Sequence, residues 1–187
     1  MAVAMESLAD LVAAAEWRGW GPPVRVRIDH APVAVFARAV HDHSALYQSE
    51  SAARDAGFDA IPAPPTFSFV MTHAGSFADL QPPDGRGSLY AGSGESDTTM
   101  MAGPGLYLHG EQHFEYHRPL RVGDVLEGRM RTSAPVMRTS RRGPMETTYM
   151  QTRWTDVETG APVVDELIVS LYFPESEPAR GLPAPAV

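Results

Sequence analysis

The segment spanning residues 66–78 constrains the fold most, because its apolar residues have helical spacing yet occupy more than one side of the helix. Phe69 lies on one side, and the opposite side carries Phe67, Val70, Met71, Ala74 and Phe77. A helix that is apolar on several sides is stable in water only when other elements cover it. The sequence therefore predicts a central, buried helix.

The second half of the chain has a different periodicity. From residue 106 onward, apolar and polar residues alternate with a period of two, which is typical of strands with one buried face. Strands are expected at 106–117, 122–137, 146–155 and 163–173, after an earlier strand at 24–28, with turn residues at 142–144 and 158–160. This order predicts an α+β fold in which an antiparallel sheet covers the helix.

Shorter helices and two irregular regions complete the layout. Helices are expected from Leu8 to near Gly19, from Pro32 to Val40 and at 49–56, the last closed by Gly57. The region 81–105 is rich in Gly, Pro, Ser and Asp, which predicts a long surface excursion. With 187 residues and 43% hydrophobic content, the chain supports one core. We expect an N-terminal helical extension at 1–21, one domain at 22–173 and a disordered Pro-rich tail at 174–187.

Composition excludes several kinds of chemistry. The chain has no Cys, Lys or Asn, and all 15 of its basic residues are Arg. A Cys nucleophile, a thiolate zinc site, a Schiff-base Lys and a Walker-type phosphate loop each require a missing residue. The net charge of -8 opposes nucleic-acid binding. The first residues lack the basic start and apolar core of a signal peptide, and no apolar run approaches the ~20 residues that span a bilayer, so we expect a cytoplasmic protein without membrane contact.

Residues 35–66 hold a helix, a polar loop with an acid, a second short helix and the proline-rich stretch at 62–65. This arrangement resembles the substrate loop of the MaoC-like hydratases and dehydratases, which add water to acyl thioesters or remove it. That family has an Asp in the loop and a His five residues later. Here Asp42 is present and Tyr47 takes the place of the His. The resemblance implies a thioester substrate, with Asp42 and Tyr47 as catalytic candidates.

A second resemblance covers residues 108–126. The strand followed by the Arg-Pro-x-x-x-Gly-Asp turn, from Arg118 to Asp124, is similar to the amino-terminal, FAS1-like type of MaoC dehydratase domain. This type includes subunits that pair with a separate catalytic subunit. The resemblance implies a hot-dog fold, a curved antiparallel sheet around a central helix, in a homodimer or a heterodimer with a second MaoC-like chain.

Hydration of an enoyl thioester needs a base to activate water, an acid to protonate carbon and a donor for the thioester oxygen. The resemblance places that donor at a backbone N–H near Thr66 and Phe67, beside Pro65. An unperturbed Tyr has a pKa of ~10, so Tyr47 is a poor base but can donate a hydrogen bond or act as an acid. His41 and His43 flank Asp42 and are further catalytic candidates, although neighbouring loop residues point in different directions, so at most one is expected to face the site.

Two charged groups have competing interpretations. Arg138, Arg141 and Arg142 surround a hairpin turn, where they are either solvated or bind the phosphates of a phosphopantetheine carrier or nucleotide. If Gly110 makes no bulge, one strand face carries His109, Glu111, His113, Glu115 and His117. Such a face can bind metal. Strict alternation is more typical of a half-exposed sheet, so we expect neither a metal nor another cofactor.

Three functions follow. The first is an enoyl-thioester hydratase or β-hydroxyacyl-thioester dehydratase, acting on an acyl-CoA or acyl-carrier-protein substrate with a modified Asp/Tyr site. The second is a non-catalytic hot-dog partner of such an enzyme, which Tyr47 favours. The third is a metal-dependent β-barrel enzyme, which the buried helix disfavours. A hot-dog thioesterase also remains open.

Overall fold

The computed structural model describes residues 8–74 and 105–174. Its helices are α1 (Leu8–Ala14), α2 (His30–Ala39), α3 (Glu50–Asp55) and α4 (Phe67–Ala74), with a 3-10 helix at Ala45–Tyr47. Its strands are β1 (Val24–Arg27), β2 (Gly105–Tyr116), β3 (Val125–Thr132), β4 (Val136–Ser140), β5 (Gly143–Asp156) and β6 (Pro162–Pro174). Parts of three expected features lie outside the described residues. These parts are the excursion apart from residue 105, the last residues of the central helix, and the tail apart from its first residue. Within those residues, no helix is long and apolar enough to cross a membrane.

The strands form one antiparallel sheet in the order β1-β3-β5-β6-β2, with β4 pairing the first part of β5. The single strand expected at 122–137 is wrong, because it divides into β3 and β4. At the break, the N–H of Ala134 donates to the carbonyl of Glu16 at 2.8 Å instead of to β5. Pro135 follows and has no N–H to donate, so the ladder is interrupted.

The inner face of the sheet packs against α2 and α4. Phe67 and Met71 of α4 join a core with the fully buried Trp154, Val164 and Leu126 of the sheet. The strand pattern and the buried helix are confirmed, and the architecture is the α+β hot-dog fold. Val40, expected in the apolar stripe of α2, is instead exposed, because α2 ends at Ala39.

The outer face of the sheet is partly covered by the N-terminal segment. Leu11 of α1 packs on Tyr149, Leu167 and Val169. The guanidinium of Arg131 lies over the rings of Trp17 and Trp20, at 4.3 and 4.6 Å from their centres. The N-terminal helical segment therefore helps to bury the sheet.

A β-bulge at Gly110 changes which side chains of β2 face the helix. His109 pairs with Ser170, whereas Glu111 pairs with the adjacent residue Val169, so the alternation changes phase between them. The ring of His109 accordingly contacts Phe69 of α4, with ring centres 5.9 Å apart. The single His-rich face expected from the sequence is wrong, because His109 lies on the opposite side of the sheet from Glu111.

The Arg-Pro-x-x-x-Gly-Asp turn connects three parts of the sheet. The guanidinium of Arg118 donates to Asp124 at 2.6 Å and to Asp156, the last residue of β5, at 2.7 Å. The turn also holds the chain that leads into α4, because the N–H of Ala63 donates to the carbonyl of Leu120 at 2.8 Å. The motif therefore fixes the position at which α4 begins.

Candidate active site

The loop after α2 positions Asp42. His41 adopts a left-handed conformation, with φ of 60°, which ends the helix. The N–H of Asp42 then donates to the carbonyl of Ala37 at 2.8 Å, and its carboxylate accepts the N–H of Ser44 at 3.0 Å. This is an Asx turn, so one carboxylate oxygen of Asp42 already has a local structural role.

Tyr47 ends the 3-10 helix and is buried in the core, with 9% of its surface exposed. Burial raises the pKa of the phenol, and the nearby negative charge of Asp42 raises it further. His30 Nε2 lies 3.3 Å from the Tyr47 carbonyl, which connects this residue to the first turn of α2. Because its pKa is raised, the phenol stays protonated near neutral pH and can donate a hydrogen bond without acting as a base.

His41 and His43 are exposed, and their rings meet edge to face with centres 6.4 Å apart. In the part of the chain that the structure describes, no imidazole forms a hydrogen bond or ion pair with Asp42. The loop therefore places Asp42 near enough for its charge to raise the pKa of Tyr47, but it does not pair Asp42 with an imidazole.

The start of α4 differs from the expected donor site. The N–H of Thr66 donates to the hydroxyl of Tyr116 at 2.9 Å, and the N–H of Phe67 donates to the carbonyl of Pro64 at 3.1 Å. Pro65 and Thr66 are exposed, whereas Phe67 is buried against the ring of Phe36. Both backbone donors expected for a thioester oxygen thus have acceptors within the chain. Thr66 also has φ of 69°, which is strained for a β-branched residue.

A buried polar cluster lies behind this position. Glu166 of β6 has no exposed surface, and among the described residues neither of its carboxyl oxygens has a hydrogen-bond partner. Burial raises its pKa to about 7. The fully buried Ser68 hydroxyl approaches both Glu166 and Tyr116 outside hydrogen-bond geometry, but near enough to lower the pKa of each. Gln112, on the same sheet face, also has a buried amide nitrogen without a described partner.

Glu166 and Ser68 were not among the site residues expected from the sequence, although β6 contains a signal for the cluster. Asp165 and Glu166 are adjacent in an apolar strand, and consecutive side chains point to opposite faces, so one carboxyl had to face the helix. Asp165 faces outward, where it accepts from Arg153 at 2.8 Å and lies 3.1 Å from His117 Nε2. Glu166 is therefore the inward carboxyl.

The three arginines expected to bind phosphate lie on the β4–β5 hairpin. Arg138 donates to the hydroxyl of Tyr149 at 3.1 Å, and the side chains of Arg141 and Arg142 are exposed in the turn. No described hydrogen bond or ion pair connects them to Asp42 or Thr66. Among the residues described, no cluster of three or more His, Asp or Glu is arranged to hold a metal ion.

Residues 17–166 match the model of the FAS1-like dehydratase domain region. The chain belongs to this family. It is 29% identical over 109 residues to a UPF0336 protein of Thermobifida fusca, and the match covers 58% of this chain and 62% of that protein. The chain thus spans about three fifths of the length of that curated relative.

Two solved structures from Mycobacterium tuberculosis have the same fold. One is the C-terminally truncated HadBC (3R-hydroxyacyl-ACP dehydratase) complex, with 22% identity, a TM-score of 0.59 and coverage of 84% of this chain and 96% of that one. The other is the ChsH1-ChsH2 complex, with 20% identity, a TM-score of 0.63 and coverage of 90% and 92%. The MaoC-like, FAS1-like family expected from the two sequence resemblances is confirmed.

Proposed function

We propose that this chain is an acyl-thioester-binding partner subunit of a MaoC-type hydratase or dehydratase, in which a second MaoC-like chain supplies the Asp–His pair. The observation that carries the proposal is Tyr47. It stands where the family has a catalytic His, it is buried, and its raised pKa keeps it protonated.

The chemistry explains why this substitution matters. Hydration needs one group that removes a proton from water and another that delivers a proton to carbon. A protonated phenol cannot take the first proton, and one oxygen of Asp42 is already engaged by Ser44. In this proposal, the base is therefore an imidazole from another chain. The two-chain complexes among the solved structures of this fold support this arrangement by analogy.

The proposed substrate is an acyl-CoA or acyl-carrier-protein thioester. Both carriers have a phosphopantetheine arm, and Arg141 and Arg142 present exposed positive charge on a chain of net charge -8. We propose that this hairpin contacts a carrier phosphate, since one guanidinium group can donate two parallel hydrogen bonds to two phosphate oxygens.

A self-sufficient hydratase or dehydratase is the second candidate. It is favoured by the proximity of Asp42 and Tyr47, since the charge of the carboxylate contributes to the raised pKa of the phenol. In such an enzyme, Asp42 would act as the base and Tyr47 as the acid.

Restoring the family's residue provides the first test. We expect the wild-type chain alone to hydrate crotonyl-coenzyme A barely above background and to gain activity when mixed with a MaoC-like chain that carries the Asp–His pair. In the chain alone, Tyr47→His should raise hydration at least about tenfold, a modest fraction of what a general base contributes. Loss of enoyl absorbance measures hydration, and release of free thiol in the same assay reports thioesterase activity.

Tyr47→Phe is the matched control, because it keeps the ring and removes only the hydroxyl. The partner-subunit proposal fails if the wild-type chain alone hydrates crotonyl-coenzyme A and Asp42→Ala lowers that activity by about 10² to 10⁴, the range for a lost acid or base.

A further inference from the structure

The group that would hold a thioester oxygen in this chain is not a free backbone N–H. The two donors at the start of α4, on Thr66 and Phe67, already have acceptors at 2.9 and 3.1 Å. The acceptor for Thr66 is the phenol oxygen of Tyr116, so this N–H is not available to a thioester oxygen while that hydrogen bond is formed.

The hydroxyl of Tyr116 is available as a hydrogen-bond donor. Its oxygen accepts the Thr66 N–H, and its own O–H has no acceptor in hydrogen-bond geometry among the described residues, since Ser68 approaches outside that geometry. The side chain is 39% exposed and stacks on Phe114, with ring centres 6.0 Å apart. The exposed Pro65 and Thr66 lie beside the hydroxyl, so the phenol is held in place at a surface that a ligand can reach.

We propose that the Tyr116 hydroxyl donates the hydrogen bond to the thioester carbonyl oxygen in this chain. The phenol would then lie between the Thr66 N–H, from which it accepts, and the thioester oxygen, to which it donates. This inference rests on the proposed thioester binding and names the residue that performs it.

Two physical effects support this role. A phenol that accepts an N–H becomes a stronger donor, because hydrogen bonds in a chain polarise one another. Burial raises the pKa of Tyr116, and the neighbouring Glu166 charge raises it further. The phenol therefore keeps its proton near neutral pH and remains available as a donor.

The alternative is that Tyr116 blocks the site. In that case, a thioester binds only after the phenol leaves Thr66, and removing the hydroxyl would free the backbone donor. The two roles predict opposite effects of the same substitution on affinity.

The test uses butyryl-coenzyme A, a saturated thioester that cannot be hydrated, with its carbonyl carbon labelled with ¹³C. Affinity is measured by calorimetry and the bound carbonyl stretch by infrared difference spectroscopy, on the purified chain together with any partner chain that co-purifies. We expect Tyr116→Phe to weaken binding about tenfold, in line with one lost hydrogen bond. The carbonyl stretch should move to higher frequency, because the carbonyl is no longer polarised by a donor.

Tyr107→Phe is the matched control, since Tyr107 lies on the same strand and its ring stacks on Tyr172. It should leave both the affinity and the carbonyl stretch unchanged. Tighter or unchanged binding by Tyr116→Phe, with the stretch unmoved, overturns the donor role while leaving thioester binding intact. If the wild-type protein does not bind butyryl-coenzyme A at all, the proposed function fails together with this inference.

Discussion

Replacing Glu166 with Gln should stabilise the folded protein by about 3 kcal/mol at pH 8 and leave its stability almost unchanged at pH 4. Glu166 is completely buried without a described hydrogen-bond partner, and its pKa in the folded protein is about 7, against 4.5 for an unperturbed Glu. Each pKa unit corresponds to about 1.4 kcal/mol, which gives the size of the effect.

The direction follows from proton linkage. Below pH 4.5, Glu166 is protonated in both the folded and the unfolded chain, so it does not make stability depend on pH. Between about 4.5 and 7, the unfolded chain loses this proton while the folded chain keeps it, so wild-type stability falls as the pH rises. The Gln side chain does not titrate. The amount by which Glu166→Gln is more stable than the wild type should therefore grow between about pH 4.5 and 7 and then level off.

Urea unfolding at a series of pH values measures this difference. Glu115→Gln is the matched control, because it makes the same chemical change on an exposed side chain of the neighbouring strand. A constant difference between wild type and Glu166→Gln from pH 4 to pH 8 would mean that the carboxyl is hydrated or paired in solution.

The second large effect is expected at Gly128, which lies opposite Trp154 in the β3–β5 pair. A methyl group added at Gly128 would come within 2.5, 2.6 and 2.7 Å of three atoms of the indole ring. Trp154 is fully buried, so its ring cannot move out into solvent to relieve the contact. We expect Gly128→Ala to lower the free energy of unfolding by about 2–3 kcal/mol, the upper part of the usual range for overpacking a core.

Gly19→Ala serves as the control, because no atom lies within 4 Å of the position of its added methyl group. A double-mutant cycle isolates the clash. In a Trp154→Leu background, the indole is absent and Gly128→Ala should cost much less. An equal cost in both backgrounds would show that glycine is required here for its backbone and not for the space it leaves.

The sequence was sufficient to predict the α+β layout and the burial of α4. Period-two alternation and an excess of apolar residues on one helix are local signals, and Phe67 and Met71 are buried as expected. The family resemblance likewise needed only short contiguous segments, the loop around Asp42 and the turn from Arg118 to Asp124.

The candidate site was less predictable, because its decisive contacts join distant residues. Tyr116 and Thr66 are fifty positions apart, and no local pattern indicates that the phenol meets that N–H. Thr66 precedes α4 directly, and its left-handed backbone depends on how the preceding chain is held by the turn at Leu120. Glu166 was recognisable as one of two adjacent carboxyls, but only the strand register decides which one faces inward.

The bulge at Gly110 determines which face of the sheet each preceding residue of β2 occupies. Residues on its two sides obey opposite rules of alternation, since His109 faces α4 while Glu111 faces away. Removing this one glycine would leave a strand that can still pair continuously, but it would exchange the faces of the preceding residues, turning His109 outward and Leu108 inward. Relatives that lack an equivalent residue would therefore present a different set of side chains to the central helix even where the aligned sequences look alike.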